Sequence, residues 1–524
     1  MRRREFLEKF RISGKRPEHH YSKPIKAQSL DEYTEPLDLQ KAAHLLRRLT
    51  FAPTWEQVQL ILGKTASEAI DIILGTGNEP LPDGYQDLDW LDEVEENPLE
   101  TGSVQIRFEI EGRHKSRYRE LNSWWLDQMR KETFPAMEKL TLLWHTVWTC
   151  EFTYDTLSLI PPPLMYRNNQ TLREGRMANY KDMAENITLD GAMLLYQSLH
   201  YSTKASPNEN YMRELVELFL MGIGHYTEGD IREGSRALTG WRAAAHLGPH
   251  PNGYFNTYFS PQDHDTGGKT VMKQDISPRD EADNTEDQVR LEEVRGLIDI
   301  LFEERPEPIA GFICEKIYKY FVYSDPGAVD FDIVGEMAQT FINNDFELKP
   351  VFRQLFTSQH FFSEDIIGGQ IKTPPEYIVG LERMLNVDYQ NAREAVFNLE
   401  MVLYDPPDVG SWAGYRSWIS TTTYPLRARY GGEILDLADN TALFAMAEQF
   451  GIGTTPDAVL NAILAYMLPK MPDSEKTARF KTAMLNDMDD AAWEAAFTNK
   501  ETAAAVGLRT LVNEIILAPD FQLS

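Results

Sequence analysis

The chain has 524 residues, 81 of them acidic and 52 basic, for a formal net charge of −29. Nucleic-acid backbones are recognised by neutralising phosphates with Lys and Arg, so this balance argues against a nucleic-acid partner and favours a cationic or neutral one. Only Cys150 and Cys314 are present, which excludes a disulfide scaffold and a cysteine-based zinc site, and no apolar run approaches the roughly 18 residues that would mark a membrane span, so a soluble chain is expected.

Residues 1–35 read as a flexible arm. Its start, Arg3-Arg4-Glu5-Phe6-Leu7-Glu8-Lys9, looks like a twin-arginine export fingerprint, but the polar, basic stretch behind it lacks the apolar region and small-residue cleavage site of a complete signal. A cytoplasmic location is expected on that ground, or a periplasmic one if the chain travels with an exported partner. Apolar residues at helical spacing then predict short helices at 37–50, 55–62 and 67–74, followed by a stretch rich in Pro, Gly and Asp at 75–100. Residues 104–110 alternate apolar with polar and predict a strand.

Helical periodicity resumes at 116–131, 135–150, 172–186, 190–199, 207–221 and 227–238. Short β-rich runs at 254–259 and 269–272 predict a hairpin whose connection carries His264-Asp265. An acidic loop is expected at 273–288, and further helices at 289–304, 308–323, 330–343, 348–358 and 374–385. The pattern predicts an all-α, multi-helix assembly with one or two small β hairpins. At this length more than one body is expected: an N-terminal helical body over 36–272 and a C-terminal one over 289–524, separated by the acidic loop.

The densest polar window runs from Pro207 to Trp241. Ser206 and Pro207 suit a helix start with Glu209 as the acidic partner of a capping box. Projected at about 100° per residue, Glu209, Asn210, Arg213, Glu214 and Glu217 share one arc. As a solvated ladder, the Glu209/Arg213/Glu217 pairs contribute only a few tenths of a kcal/mol each. The functional alternative is a cleft lined by Asn208, Asn210, Glu214 and Glu217, with Arg213 keeping the carboxylates ionised and oriented. Gly222 suits a left-handed helix cap, Thr227 and Asp230 a second capping box, and His225 sits pinned between two helix ends.

Two other imidazoles are candidates. His145 shares a stripe with Glu138, Thr141 and Thr149 in an otherwise apolar helix, and such polar groups must find partners when buried. His264 and Asp265 precede two glycines, a placement that suits metal coordination, an oriented base or a simple turn. The chain contains no His-Glu-x-x-His, Gly-x-Ser-x-Gly, Walker or Gly-x-Gly-x-x-Gly motif. Towards the C-terminus, Tyr404-Asp405-Pro406-Pro407-Asp408-Val409-Gly410-Ser411-Trp412, with Trp418, forms a rigid aromatic turn suited either to clamping helices or to serving as a ligand platform.

Taken in order, these segments resemble the large bacterial family called domain of unknown function 1800. The resemblance runs from Ala42-Ala43-His44-Leu45-Leu46-Arg47-Arg48 through Leu142-Leu143-Trp144-His145, the Pro207-Asn208-Glu209-Asn210 block, Leu238-Thr239-Gly240-Trp241, His264-Asp265 and Lys372-Thr373-Pro374 to Pro406–Trp412 and Ala518-Pro519-Asp520-Phe521. The family has no established activity. Its members are often encoded beside a sulfatase-like family, domain of unknown function 1501, and many carry export signals, so the resemblance implies an envelope or secretion setting and a paired protein partner. Ala52 stands where that family commonly shows glycine, and Gln197-Ser198-Leu199-His200 departs from its usual text.

Two functions compete. One is a non-catalytic helical partner of another protein, which the sulfatase-like neighbour would fit. The other is a metal-assisted hydrolase or related enzyme using a divalent metal, with His145, His264 and Asp265 as ligands or bases, Glu214 and Glu217 as carboxylates, Arg213 as orienter, and Asn208, Asn210, His225, Trp241 and Trp412 as binding groups. The second requires these groups to converge in space.

Overall fold

The computed structural model describes residues 29–91, 104–152, 160–243, 257–325 and 327–524. The twin-arginine-like start lies outside the described residues. Helices α1 (Leu39–Leu49), α2 (Trp55–Ile61) and α3 (Ala66–Leu74) are followed by α4 (Val104–Lys131), α5 (Glu138–Val147), α6 (Pro162–Gly175), α7 (Tyr180–Thr188), α8 (Gly191–Tyr196), α9 (Glu209–Glu214) and α10 (Glu228–Ala237). Two antiparallel pairs of strands come next: β1 (Trp241–Ala243) with β2 (Thr257–Phe259), and β3 (Lys269–Val271) with β4 (Gln274–Ile276). The remainder is helical: α11 (Glu286–Val289), α12 (Arg295–Glu304), α13 (Pro306–Phe321), α14 (Phe331–Asn343), α15 (Leu348–Phe356), α16 (Pro374–Leu385), α17 (Ala392–Asn398), α18 (Thr423–Leu437), α19 (Asn440–Glu448), α20 (Pro456–Met467), α21 (Ser474–Leu485), α22 (Asp490–Thr498) and α23 (Thr502–Leu517). The fold is all-α with two small antiparallel pairs.

Three local expectations are corrected. The strand at 104–110 is instead the first part of α4, a single 28-residue helix. The hairpin between 254–259 and 269–272 does not form, since β2 pairs with β1 and β3 with β4; residues 254–256 lie outside the described residues. The helix at 207–221 begins two residues late, with Asn208 rather than Ser206 as its cap: the Asn208 side-chain oxygen accepts from the Tyr211 amide at 3.2 Å. An amide side chain at the cap position satisfies a donor the helix cannot pair internally, so it displaces the Ser206 start. Beyond Glu214 the same helix widens into a π turn over Leu215–Leu220 and stops at Gly222, whose φ of 78° needs glycine.

Two other paired signals at helix starts do form. Thr227 with Asp230, and Thr373 with Glu376, each make both halves of a capping box. At the centre lies α5, apolar nearly all round through Leu140, Leu142, Leu143, Trp144 and Val147, and packed against α4, α6 and α13. Among the described residues no helix is long and apolar enough to cross a membrane.

Candidate functional site

The residues singled out from sequence fall into separate surroundings. On α9 and its π extension, Arg213 forms a two-pronged pair with Glu228 at 3.0 and 2.8 Å and reaches Glu217 at 3.8 Å. Glu217 also accepts from the Tyr226 hydroxyl. Glu214 is half-buried, and burial followed by the charge of Glu217 raises its pKa. Asn208 and Asn210 both turn to Gln197, donating to its backbone and side-chain oxygens at 2.9 and 3.3 Å. His225 lines a different cavity, of about 330 Å³, beside Glu304, Glu307 and Phe312. Its pKa is lowered by burial and then by Arg305, which donates to the His225 carbonyl at 2.7 Å.

His264 belongs to a buried ionic knot. Its Nδ1 lies 2.9 Å from the Thr239 carbonyl and its Nε2 3.1 Å from Glu293 Oε1. Glu293 is fully buried and also meets Lys269 at 2.6 Å and Arg279 at 2.5 Å. Burial works to raise the Glu293 pKa, but His264 and Lys269 outweigh it and hold it below the ordinary value. Asp265 is held by Arg236 through two bonds of 2.8 and 3.1 Å. Trp241 is buried against Phe259, which in turn packs on His264. A buried carboxylate needs such a shell of donors, and the knot ties β3, the π turn over Arg290–Val294 and the end of α10 together.

His145 lies elsewhere, and among the described residues the hydrogen-bond and ring partners of the two histidines are different. Its Nε2 accepts from the Tyr404 amide at 3.2 Å, and its ring is walled by Trp125, Tyr404 and Trp412 at 5.3, 5.6 and 5.7 Å. Burial lowers its pKa to about 3, so it is neutral at any ordinary pH. Among the described residues, no group of three or more His, Cys, Asp or Glu is arranged to hold a metal ion. Of the predicted set, the structure therefore joins His145 directly with Trp412 and Arg213 with Glu217, while Asn208 and Asn210 meet at Gln197 and His264 and Trp241 at Phe259.

Trp412 leads to a further cavity. A space of about 320 Å³ is enclosed by α5, α13 and the turn at 410–418, with Arg48 of α1 and Glu376 of α16 contributing to its lining. Lys139, Lys316 and Lys319 line it together with Trp412, Tyr415 and Trp418. Lys139 is buried and paired with Glu376, whose other oxygen accepts from the Thr373 amide at 2.6 Å. The capping box thus orients the carboxylate that positions Lys139. Burial works to raise the Glu376 pKa, but Lys139 and Thr373 hold it below the usual range. Lys319 stands more exposed and pairs with Glu315 at 2.5 Å along its own helix. Lys316 has no carboxylate within ion-pair distance among the described residues; its ammonium sits 4.7 Å from the centre of the Phe312 ring. Burial, then repulsion from Lys319, lowers its pKa to about 8.

The turn over this cavity is strained. Tyr404, Ser411 and Tyr415 occupy the left-handed region with φ of 63°, 76° and 51°, each at a cost of about 1–2 kcal/mol for a side chain other than glycine. It is held by Thr149, whose hydroxyl donates to the Val409 carbonyl at 2.5 Å, and by the Tyr415 hydroxyl, 3.3 Å from Asp325. Ser411 is buried, and its hydroxyl has no hydrogen-bond partner among the described residues. The segment thus bonds to Thr149 beyond the end of α5 and lines the cavity.

A comparison with family profiles matches residues 44–523 to "Protein of unknown function (DUF1800)". The chain belongs to this family. No curated protein and no solved structure matches it. Within the family's span, the sequence reading had marked Trp412 and the Lys372-Thr373-Pro374 block but missed Lys139, Lys316, Lys319 and Glu376. A signal for Lys139 was present: a lysine inside an apolar helix, whose charge must be answered when buried. Glu376 was readable as the fourth residue of Thr373-Pro374-Pro375-Glu376. Nothing local pairs Lys316 with a turn nearly a hundred residues away.

Proposed function

We propose that this member of the DUF1800 family is a binding protein that acts as a partner of another protein and recognises it through the cavity beneath the aromatic turn. One observation carries the reading. In a chain of net charge −29, Arg48, Lys139, Lys316 and Lys319 gather around a single space in which, among the described residues, Glu376 is the one acidic side chain of the lining. A cationic pocket walled by tryptophans suits an acidic group presented beside an apolar one, with the aromatic side chains as anchors. The sulfatase-like neighbour implied by the family resemblance is the first partner to test.

Tagged wild-type and Trp412→Ala proteins purified from native cells provide that test. A stoichiometric partner retained by the wild type and lost from the variant supports the reading, and equal retention by both removes the cavity from it. The hydrolase alternative with His145, Glu214, Glu217 and His264 has less support. His264 has an acceptor at each ring nitrogen, and His145 faces an aromatic wall rather than a carboxylate.

A further inference from the structure

We propose that the cavity under the aromatic turn is an oxyanion site, taking a phosphate-like or carboxylate group carried on a flat apolar body. This rests on the binding reading above and specifies what is bound. The charged half of the site has an unequal division of labour. Lys139 is matched by Glu376 and Lys319 by Glu315, while the Arg48 guanidinium donates to the carbonyls of Phe321, Val322 and Ile366 at 3.1, 3.2 and 2.9 Å. Among the described residues, Lys316 is the cation of this lining left without a carboxylate in contact. Lys319 and Glu315 of its own helix act on its charge, and Lys139 of α5, Arg48 of α1, Glu376 of α16 and Ser524 share the lining with it. Counted by side chain alone these groups carry a formal charge of +2, four cations against two carboxylates, with Ser524 also in the lining and Asp325 standing behind Tyr415.

A half-buried ammonium with no carboxylate in contact is costly to keep charged, and an arriving oxyanion reduces that cost. The neutral half supplies a donor: Ser411 lines the same space with a buried hydroxyl that no atom of the described residues satisfies. Such a hydroxyl is expected to find a partner when the site fills. Lysine suits a compact oxyanion as a point charge, and the one arginine in the lining is already engaged with backbone. Trp412, Tyr415 and Trp418 furnish flat surface around that charge. At about 320 Å³ the cavity lies at the small end of ligand pockets, so it takes a head group rather than a whole cofactor.

Calorimetric titration of the full chain with phenyl phosphate, benzoate, inorganic phosphate and phenol tests this. The first two should bind, and the last two, each lacking half of the recognised chemistry, should bind at least about tenfold more weakly. Lys316→Met and Ser411→Ala should each weaken phenyl phosphate about tenfold or more while the thermal midpoint of the unliganded protein stays level or rises for Lys316→Met. Above pH 7.5 the phosphate charge is constant, so the wild-type affinity should fall as pH rises past about 8, approaching tenfold per unit. Lys316→Met should lack that fall. Equal binding of phenol and phenyl phosphate, a pH-independent affinity, or no binding of any probe overturns the proposal. If a partner protein is captured through Trp412 and none of the anions competes, the oxyanion assignment fails while the binding reading stands. If the anions bind and no partner depends on Trp412, the reverse holds.

Discussion

Arg383 reaches from α16 into the end of another helix. Its guanidinium donates to the carbonyls of Met129, Arg130 and Glu132 at the end of α4, to Ala52, and to the side chain of Gln57. Arg47 does the same for Ala465 and Tyr466 near the end of α20, Arg48 for α13, and Arg509 for Leu435 and Ala438 at the end of α18. The last carbonyls of a helix have no internal partner and carry the negative end of its dipole, so a buried cation from a neighbouring helix answers both needs. Arg383→Met keeps much of the side-chain length and leaves these carbonyls dry; a loss on the order of 3 kcal/mol is expected, read as a lower urea midpoint. His145 gives a second check at this scale. Its ring resonances should stay constant between pH 8 and pH 5, because burial holds it neutral to about 3. The sequence marked His145 as a polar group in an apolar helix, which is what it is, but could not tell a walled-in acceptor from a ligand. That difference is set by Trp125, Tyr404 and Trp412, which converge only in three dimensions.

Among elements, starts were more legible than partners. Thr227 with Asp230 announces a helix within four residues, whereas the pairing of β1 with β2 depends on chain well removed in sequence. The 104–110 segment shows why local alternation can mislead. Val104 and Phe108 are exposed where a half-buried strand would hide them, and α4 already runs from that point to Lys131. Adding a turn to an existing helix requires no new nucleus, and an isolated strand without a neighbour gains no ladder. Helix contacts themselves hinge on small residues that local pattern does not flag. A Cβ built on Gly507 of α23 would lie 2.0 Å from the Met484 carbonyl of α21. Backbone cannot yield as a side-chain tip can, so Gly507→Ala should force the two helices apart, with a loss of roughly 3 kcal/mol. Gly296→Ala in α12 meets nothing within 4 Å and should instead gain up to about 1 kcal/mol from helix propensity. Thermal unfolding of the pair separates steric from propensity effects, and equal shifts would contradict the close crossing.

Across the whole molecule the excess of acid is handled unevenly, and this sets a pH response. Burial, with Glu138 for Glu132 and Glu151 for Asp405, raises Glu132 and Asp405 to about 7; burial likewise raises Glu382 to about 7 and Asp190 to about 6. Each keeps its proton in the folded chain where the unfolded chain has released it. Their contribution to stability is therefore complete below the ordinary carboxylate range and is lost as pH rises through about 7. Buried His145 and His114, lowered to about 3 and 4, act in the opposite direction, but only as pH falls below 6.5. Lys316, lowered to about 8, penalises the folded state while protonated and releases that penalty as pH climbs from about 8 towards 10.5. Between pH 6.5 and 8 the carboxyl groups are unopposed by these others, so the urea midpoint should decline over that interval and pass through a minimum near pH 8. Glu382 is fully enclosed and accepts from the Tyr389 amide at 2.8 Å; by linkage it gives up about 1 kcal/mol between pH 6 and 8. Glu382→Gln cannot release a proton, so the variant should lose less stability than the wild type over the same range. An identical slope for the two proteins would show that Glu382 is already ionised in the fold at pH 6.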